Sequence, residues 1–243
     1  MSTRYLLCTD LDGTVLGDPE GEAAFRAWAQ RTRGRVTLAY VTGRNIESVR
    51  ALIAEGRLPE ADFASTDVGT NLYDLRDPEN RIAKHYVKLA DPLWPAQQIR
   101  TSGEHEHTPL QGPEGQRSFK SSFYWDGRAE SLAAFKGRIA WLLDQRLIVT
   151  AGQYLDVLPF CYGKGQAVRF LAAAAGAELK RTIVAGDMEN DLDMFQIGAQ
   201  GIVPANALPG LVAALEGSSA YFSPKREAHA LLDGLQRLGL DQP

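Results

Sequence analysis

The chain has 243 residues and a formal net charge of −4 at pH 7, with 26 Lys and Arg against 30 Asp and Glu. Hydrophobic residues make up 44% and charged ones 23%. That usage excludes a disordered or collagen-like chain, and the acidic balance offers no basic field to a polyphosphate backbone, so nucleic acid is not an expected partner. No apolar run nears the roughly 18 residues that a membrane span needs, and Cys8 and Cys161 alone make neither a disulfide framework nor a zinc cluster. Met1-Ser2-Thr3-Arg4 leads into an apolar stretch with no small-residue cleavage site, so the expectation is a cytoplasmic protein.

In chain order, Tyr5-Leu6-Leu7-Cys8-Thr9 predicts a buried strand, with Asp10 where it ends. Ala24, Phe25, Trp28 and Ala29 then recur at helical spacing. A second strand, Val36–Val41, ends at Thr42-Gly43-Arg44, and Asn45 caps a helix with Ile46, Val49, Leu52 and Ile53 on one face. Phe63–Thr66 predicts a third strand, and this alternation argues for crossover units and a mainly parallel α/β sheet. The rhythm changes near His85. Residues 91–117 hold four prolines and three glycines and read as mostly irregular. Residues 118–125 alternate as a strand, with Phe119, Ser121, Phe123 and Trp125 on one face and Lys120, Ser122 and Tyr124 on the other. A helix through Leu132, Phe135, Ile139, Leu142 and Leu143 follows, then a hairpin of residues 147–150 and 154–158 about Ala151-Gly152. Parallel texture returns after Pro159. Strands at Thr182–Ala185, 201–203 and 220–222 alternate with helices at 165–175, 192–195, 208–215 and 228–238. The chain therefore reads as one core in two pieces, residues 1–84 and 159–243, with a smaller α+β cap, residues 85–158, inserted between them.

Three polar clusters each follow a predicted core strand: Asp10-Leu11-Asp12-Gly13-Thr14, Thr42-Gly43-Arg44, and Gly186-Asp187-Met188-Glu189-Asn190-Asp191. Ligands of open parallel sheets bind beyond the carboxyl ends of the strands, so the clusters point to one shared site. Asp10, Asp12 and Asp187 together make physical sense around a hard cation, and an oxygen-rich site suits Mg2+. Asp10 is the natural nucleophile, forming an aspartyl-phosphate that splits one hard hydrolysis into two displacements. Asp12, two residues on, would protonate the leaving oxygen and later deprotonate water. Gly13 clears room for backbone against phosphoryl oxygens. Thr42 offers a hydroxyl and an N–H in front of a helix N-terminus, with Gly43 and Asn190 beside it as further phosphate-binding positions. Lys164, between Gly163 and Gly165, would neutralise the transferring group. Asp187 would hold the metal, with Asn190 and Asp191 orienting its ligands. Singly, each element has an ordinary structural reading, as a turn, a strand-to-helix junction or a solvated lysine. The four in this order, each at a strand end or helix start, do not.

On these motifs the chain resembles a haloacid dehalogenase superfamily phosphatase, with Asp10 to Thr14 as its first motif, Thr42 its second, Lys164 its third and Gly186-Asp187 with Asn190-Asp191 its fourth. The resemblance implies a Rossmann-like core, an α/β cap between the second and third motifs, and Mg2+ held by Asp10, the backbone carbonyl of Asp12, and Asp187. The second acid, Asp12, fits phosphotransfer rather than dehalogenation. Within that subclass, Thr9 to Asp18, Val68-Gly69-Thr70, Phe119-Lys120-Ser121-Ser122 and Leu155 to Pro159 resemble the sucrose-phosphate and mannosylfructose-phosphate phosphatases. Gly13 and Met188-Glu189 depart from the sucrose enzymes, which usually carry Asn and small residues there; Gly13 matches the mannosylfructose enzymes.

Sugar contacts are sought in and near the cap. Lys120, Asp156 and Gln111 are the substrate-binding candidates there, and Arg44 either binds a leaving-group oxygen or pairs with a nearby carboxylate. His105, Glu106 and His107 read as a solvated loop rather than a metal site, Cys8 as a buried hydrophobe, and Trp28, Trp94, Trp125 and Trp141 as packing. The expected activity is Mg2+-dependent hydrolysis of a sugar phosphate, foremost sucrose 6-phosphate, by a monomer. A mannosylfructose-phosphate phosphatase, a broad-range phosphatase, a phosphomutase, and a non-catalytic partner of a sugar-phosphate synthase stand as alternatives.

Overall fold

A strand with no polar alternation has to be covered on both faces, and β1 (Tyr5–Thr9) is, with Leu7 packed into one apolar layer and Leu6 and Cys8 into the other. The computed structural model describes residues 4–241, so Met1, Ser2 and Thr3 lie outside the described residues. Helix α1 (Pro19–Arg31) starts where the Asp18 carboxylate accepts the Gly21 N–H. Strand β2 (Val36–Val41) is again buried throughout. Helix α2 (Ile46–Ala54) is capped by Asn45, whose side-chain oxygen accepts the Ser48 N–H at 2.8 Å. Strands β3 (Phe63–Thr66) and β4 (Asn71–Asp74) follow, then helix α3 (Arg81–Tyr86). Beyond it come α4 (Ala96–Gly103), β5 (Ser121–Tyr124), α5 (Ala129–Arg138), β6 (Gln145–Thr150) and β7 (Tyr154–Pro159). The chain closes with α6 (Lys164–Ala175), β8 (Thr182–Ala185), α7 (Leu192–Phe195), β9 (Gln200–Val203), α8 (Pro209–Ala214), β10 (Tyr221–Phe222) and α9 (Glu227–Arg237).

Seven strands form one sheet in the order β10-β9-β8-β1-β2-β3-β4, parallel except for the antiparallel β4 edge. Chain order reverses at β1, which lies between β2 and β8, so the crevice of this sheet opens at the carboxyl end of β1. A second, three-stranded antiparallel sheet, β5-β7-β6, packs Phe123, Leu155 and Val157 with Ile99, Phe135 and Ile139 into an apolar cluster of its own. Tyr86 and Ala90 pack in the core layer with Tyr162 and Val168. Among the described residues no helix is long and apolar enough to cross a membrane.

Several expectations need correction. The stretch 91–117 is mostly irregular, as expected, but it also holds α4, which starts after Pro95 and ends at Gly103, so the breakers flank a helix instead of interrupting it. Gly103 is required there, because a Cβ would press on the Phe123 and Phe135 rings. The expected strand 118–125 shortens to β5, because residues 117–120 form a tight turn closed by Arg117 N–H to Lys120 O at 3.0 Å and Lys120 N–H to Arg117 O at 3.4 Å. Phe119 therefore leaves the Phe123 face and packs on the Tyr162 ring, centroids 5.4 Å apart, in the core. Helix α5 ends at Arg138, and Leu143 stands 87% exposed. β4 and α3 were not anticipated.

Candidate active site

Asp10 continues β1 by donating its backbone N–H to Ala185 O of β8 at 2.9 Å, which holds its side chain at the reversal point of the sheet. One oxygen of that carboxylate accepts from the Lys164 Nζ at 2.8 Å, and the same ammonium donates to Asp191 at 2.5 Å. Lys164 is fully buried at the first position of α6. It is not the solvated lysine that a lone reading allowed. Asp187 follows β8, and its carboxylate accepts from the Thr14 hydroxyl at 3.2 Å. The other oxygen of Asp191 takes the N–H groups of Asp187 and Met188 at 2.9 and 3.0 Å, so Asp191 braces both the lysine and the loop.

Burial, more than any neighbour, pushes the Asp10 carboxyl up to about 7; the Lys164 charge opposes the rise and Asp191 adds to it. Burial also pushes Asp187 up, to about 8, with repulsion from Asp10 and Asp191 adding to it. Burial would lower the Lys164 ammonium, but Asp10 and Asp191 outweigh it and hold the group above the ordinary lysine range. One ammonium thus faces three carboxylates whose oxygens lie within 4.8 Å of one another. That donor set is all oxygen and short of positive charge, and it fits a hard divalent cation. The buried Asn190 Oδ1 has no hydrogen-bond partner among the described residues and suits a water of such an ion. Gly13 has φ +71°, and a Cβ there would run into the Asp187 carboxylate, so the glycine holds the two loops together.

Thr42 directly follows β2, bonded through its N–H to Ser65 O at 2.9 Å, and its hydroxyl oxygen accepts the Arg44 N–H at 3.2 Å. Gly43 lies beside the Asn190 amide, whose Nδ2 would be 4.0 Å from a Cβ at that position. Asp12, on the same loop as Gly13, stands apart from the three buried carboxylates and is about half exposed. Both of its oxygens are taken by Arg44, at 2.7 Å from Nε and 2.6 Å from Nη2. Of the two readings for Arg44, the structure shows the carboxylate pair.

The cap candidates divide. Lys120 and Asp156 are both buried, with Lys120 Nζ 3.8 Å from the Asp156 carboxylate, which also accepts from the Ser122 hydroxyl across the β5–β7 pair. Gln111 donates to Phe123 O at 3.2 Å and takes part in cap packing. The sequence reading missed four contributors. Asn206, just past β9, donates to Gly13 O at 2.7 Å. Glu189 accepts the N–H of Ala151, at the hairpin tip, at 3.1 Å. Asp193 pairs with Arg146 of β6 at 3.0 Å, and Asp67 pairs with Arg117 at 3.0 Å. None follows from local pattern, since each partner is distant in the chain.

A solved haloacid dehalogenase subclass IIB sugar phosphatase, 14% identical, superposes over 97% of this chain and 99% of its own with a TM-score of 0.70, which establishes the haloacid dehalogenase fold. The sucrose-phosphatase of Synechocystis sp. PCC6803, solved in complex with sucrose and phosphate, is 26% identical and superposes with a TM-score of 0.88 over 98% of each chain. The mannosylfructose-phosphate phosphatase of Agrobacterium fabrum is 31% identical over 99% of both chains. Other curated relatives are longer, and the chain spans between 29% and 60% of them; they include plant sucrose-phosphatases and a glucosylglycerol-phosphate synthase. The family model for sucrose-6F-phosphate phosphohydrolase matches residues 3–239, and the chain belongs to that family. It is a phosphoric monoester hydrolase of the sugar-phosphate class.

Proposed function

We propose that the chain hydrolyses the phosphate ester of a fructose-containing disaccharide, foremost sucrose 6-phosphate, through a phosphorylated Asp10 and with Mg2+ bound. The observation that carries this reading is the buried Asp10 carboxylate held by Lys164 beside Asp187 at the reversal point of the sheet. Asp10, Asp187 and the Asp12 carbonyl would hold the ion, whose charge offsets that of the transferring phosphoryl group. The Asp10 carboxylate attacks phosphorus, a phosphorus–oxygen bond forms, and the ester bond to the sugar breaks. The departing sugar oxygen takes a proton from Asp12. In the second half Asp12 takes a proton from a water, which attacks the acyl phosphate and releases inorganic phosphate with Asp10 restored. For Asp12 to reach the sugar oxygen, the Arg44 pair must open. Lys164 opposes charge on the phosphoryl oxygens, and the Thr42 hydroxyl, which among the described residues only accepts, can donate its proton to one of them. Asn190 and Gly43 line the same wall.

The solved Synechocystis relative supports the sucrose reading. Mannosylfructose phosphate is the second reading, supported by the full-length relative and by Gly13. A sugar-phosphate synthase as partner is supported by the stretch of a glucosylglycerol-phosphate synthase that resembles this chain. Phosphate release, with Mg2+ and with chelator, from sucrose 6-phosphate, mannosylfructose phosphate, hexose phosphates and an aryl phosphate tests the proposal. One preferred disaccharide phosphate and silence in chelator are expected. A flat profile would remove the disaccharide, and release unaffected by chelator would remove the metal.

A further inference from the structure

The loop after β3 is unusual in its backbone. Asp67, Val68 and Gly69 have φ of 54°, 59° and 85°, three successive residues in the left-handed region, two of them not glycine. The surroundings over-determine it. Asp67 N–H bonds Arg44 O at 2.9 Å, Val68 N–H bonds Thr42 O at 3.1 Å, and the Tyr86 hydroxyl donates to Gly69 O at 2.7 Å. A Cβ on Gly69 would collide with the Gly163 and Lys164 backbone, so the loop is seated directly against the start of α6. Asp67 is buried in this rigid wall, one oxygen bonded to the Thr66 hydroxyl at 2.8 Å and the Asn71 amide at 3.0 Å. The other oxygen meets Arg117, which reaches it from the turn 117–120.

That turn has two feet on the core, Arg117 on Asp67 and Phe119 on Tyr162. Its last residue is Lys120, buried against Asp156 in the cap. Arg100 ties the turn from the cap side by donating to the Arg117 and Lys120 carbonyl oxygens. We infer that Asp67 and Arg117 are specificity-determining positioning residues: the core carboxylate fixes where the cap turn sits, and so where Lys120 stands relative to the phosphate wall of Thr42 and Lys164. The inference rests on the proposed function and on Lys120 contacting the sugar, as the sequence reading expects. The pair touches no reacting atom. It acts on substrates that have a sugar for the cap to hold and leaves small phosphate esters alone.

Two measurements test it. In Arg117→Ala, kcat/KM for sucrose 6-phosphate should fall about tenfold, chiefly through KM, as loss of one contacting ion pair implies, while an aryl phosphate stays within about twofold. Arg117→Lys should restore part of the loss, and Asp67→Asn, which keeps a side chain tolerant of the left-handed region, should match Arg117→Ala without adding to it in the double variant. Equal losses on both substrates, or no loss on either, overturn the inference. Hydrogen exchange needs no substrate: Asp67→Asn should speed exchange of the Arg117 and Lys120 amides severalfold, and unchanged exchange overturns the anchor. If the wild-type chain released phosphate from no ester, the proposed function would fall, and the exchange result would still judge whether Asp67 holds the turn.

Discussion

Asp10 and Asp187 share a pocket from which water is largely withdrawn, with Lys164 as the ammonium beside them. Both acids hold their proton to higher pH in the folded protein, near 7 and 8, than in the unfolded chain, where carboxylates titrate near 4. The folded state therefore binds more protons across that window, and stability falls as pH rises from about 4 to about 8. The raised Lys164 pKa gives a slope of the same sign, but its contribution is fully present across this window and is lost only above the ordinary lysine range. In chelator, the melting temperature should fall between pH 5 and pH 8. Mg2+ at pH 8 should raise it by several degrees and flatten the slope, and Asp187→Asn should flatten it without metal. A chelated wild-type protein with a pH-independent melting temperature would contradict the charge balance described here. Gly13→Ala should abolish turnover, since it asks for a left-handed backbone and drives a methyl into Asp187.

At the scale of elements, the strands that present the site were readable because β1 and β2 are runs apolar but for Thr9 and Thr37, each followed by a polar cluster. The cap of α2 was readable too, from Asn45 ahead of an apolar helical face. Asn45→Ala should cost about 1 kcal/mol and lower the melting temperature by roughly 2–4 °C; an unchanged melting curve would mean that the cap bond does not hold α2 in place. β4, α3 and α4 were not readable. β4 is a four-residue edge strand carrying Asn71 and Asp74, with one buried residue, and α3 is six residues long with Tyr86 alone buried. α4 buries Ile99 and Gly103 alone, too little for a periodic signal. Their stability comes from packing against neighbours. The turn 117–120 was misread as strand because alternation of ring and polar side chains looks the same in either conformation until the core claims Phe119.

At the scale of the whole molecule, and among the described residues, three polar contacts between distant segments tie the three-stranded sheet and its helices to the core: Arg117 with Asp67, Arg146 with Asp193, and Ala151 N–H with Glu189. Two of the three land within the loop and helix that follow β8, the segment that carries Asp187 and Asp191. Seating of the cap and placement of the acidic pocket are thus joined through a few residues. The motif aspartates and Lys164 could be located from sequence because each stands at a strand or helix end. The joining contacts could not, because they exist only once the two bodies meet. Arg44 stands between the two cases: a carboxylate pair was one of its two sequence readings, but the choice of Asp12 follows from β1 and β2 lying side by side. The central claim is that the Asp10 carboxylate receives the phosphoryl group, and acid-quenched mass spectrometry during turnover of sucrose 6-phosphate with Mg2+ tests it most directly. The account predicts one phosphoryl group on the peptide that carries Asp10, absent in Asp10→Asn. Steady turnover with Asp10→Asn, or a phosphoryl group trapped on another residue, would contradict it.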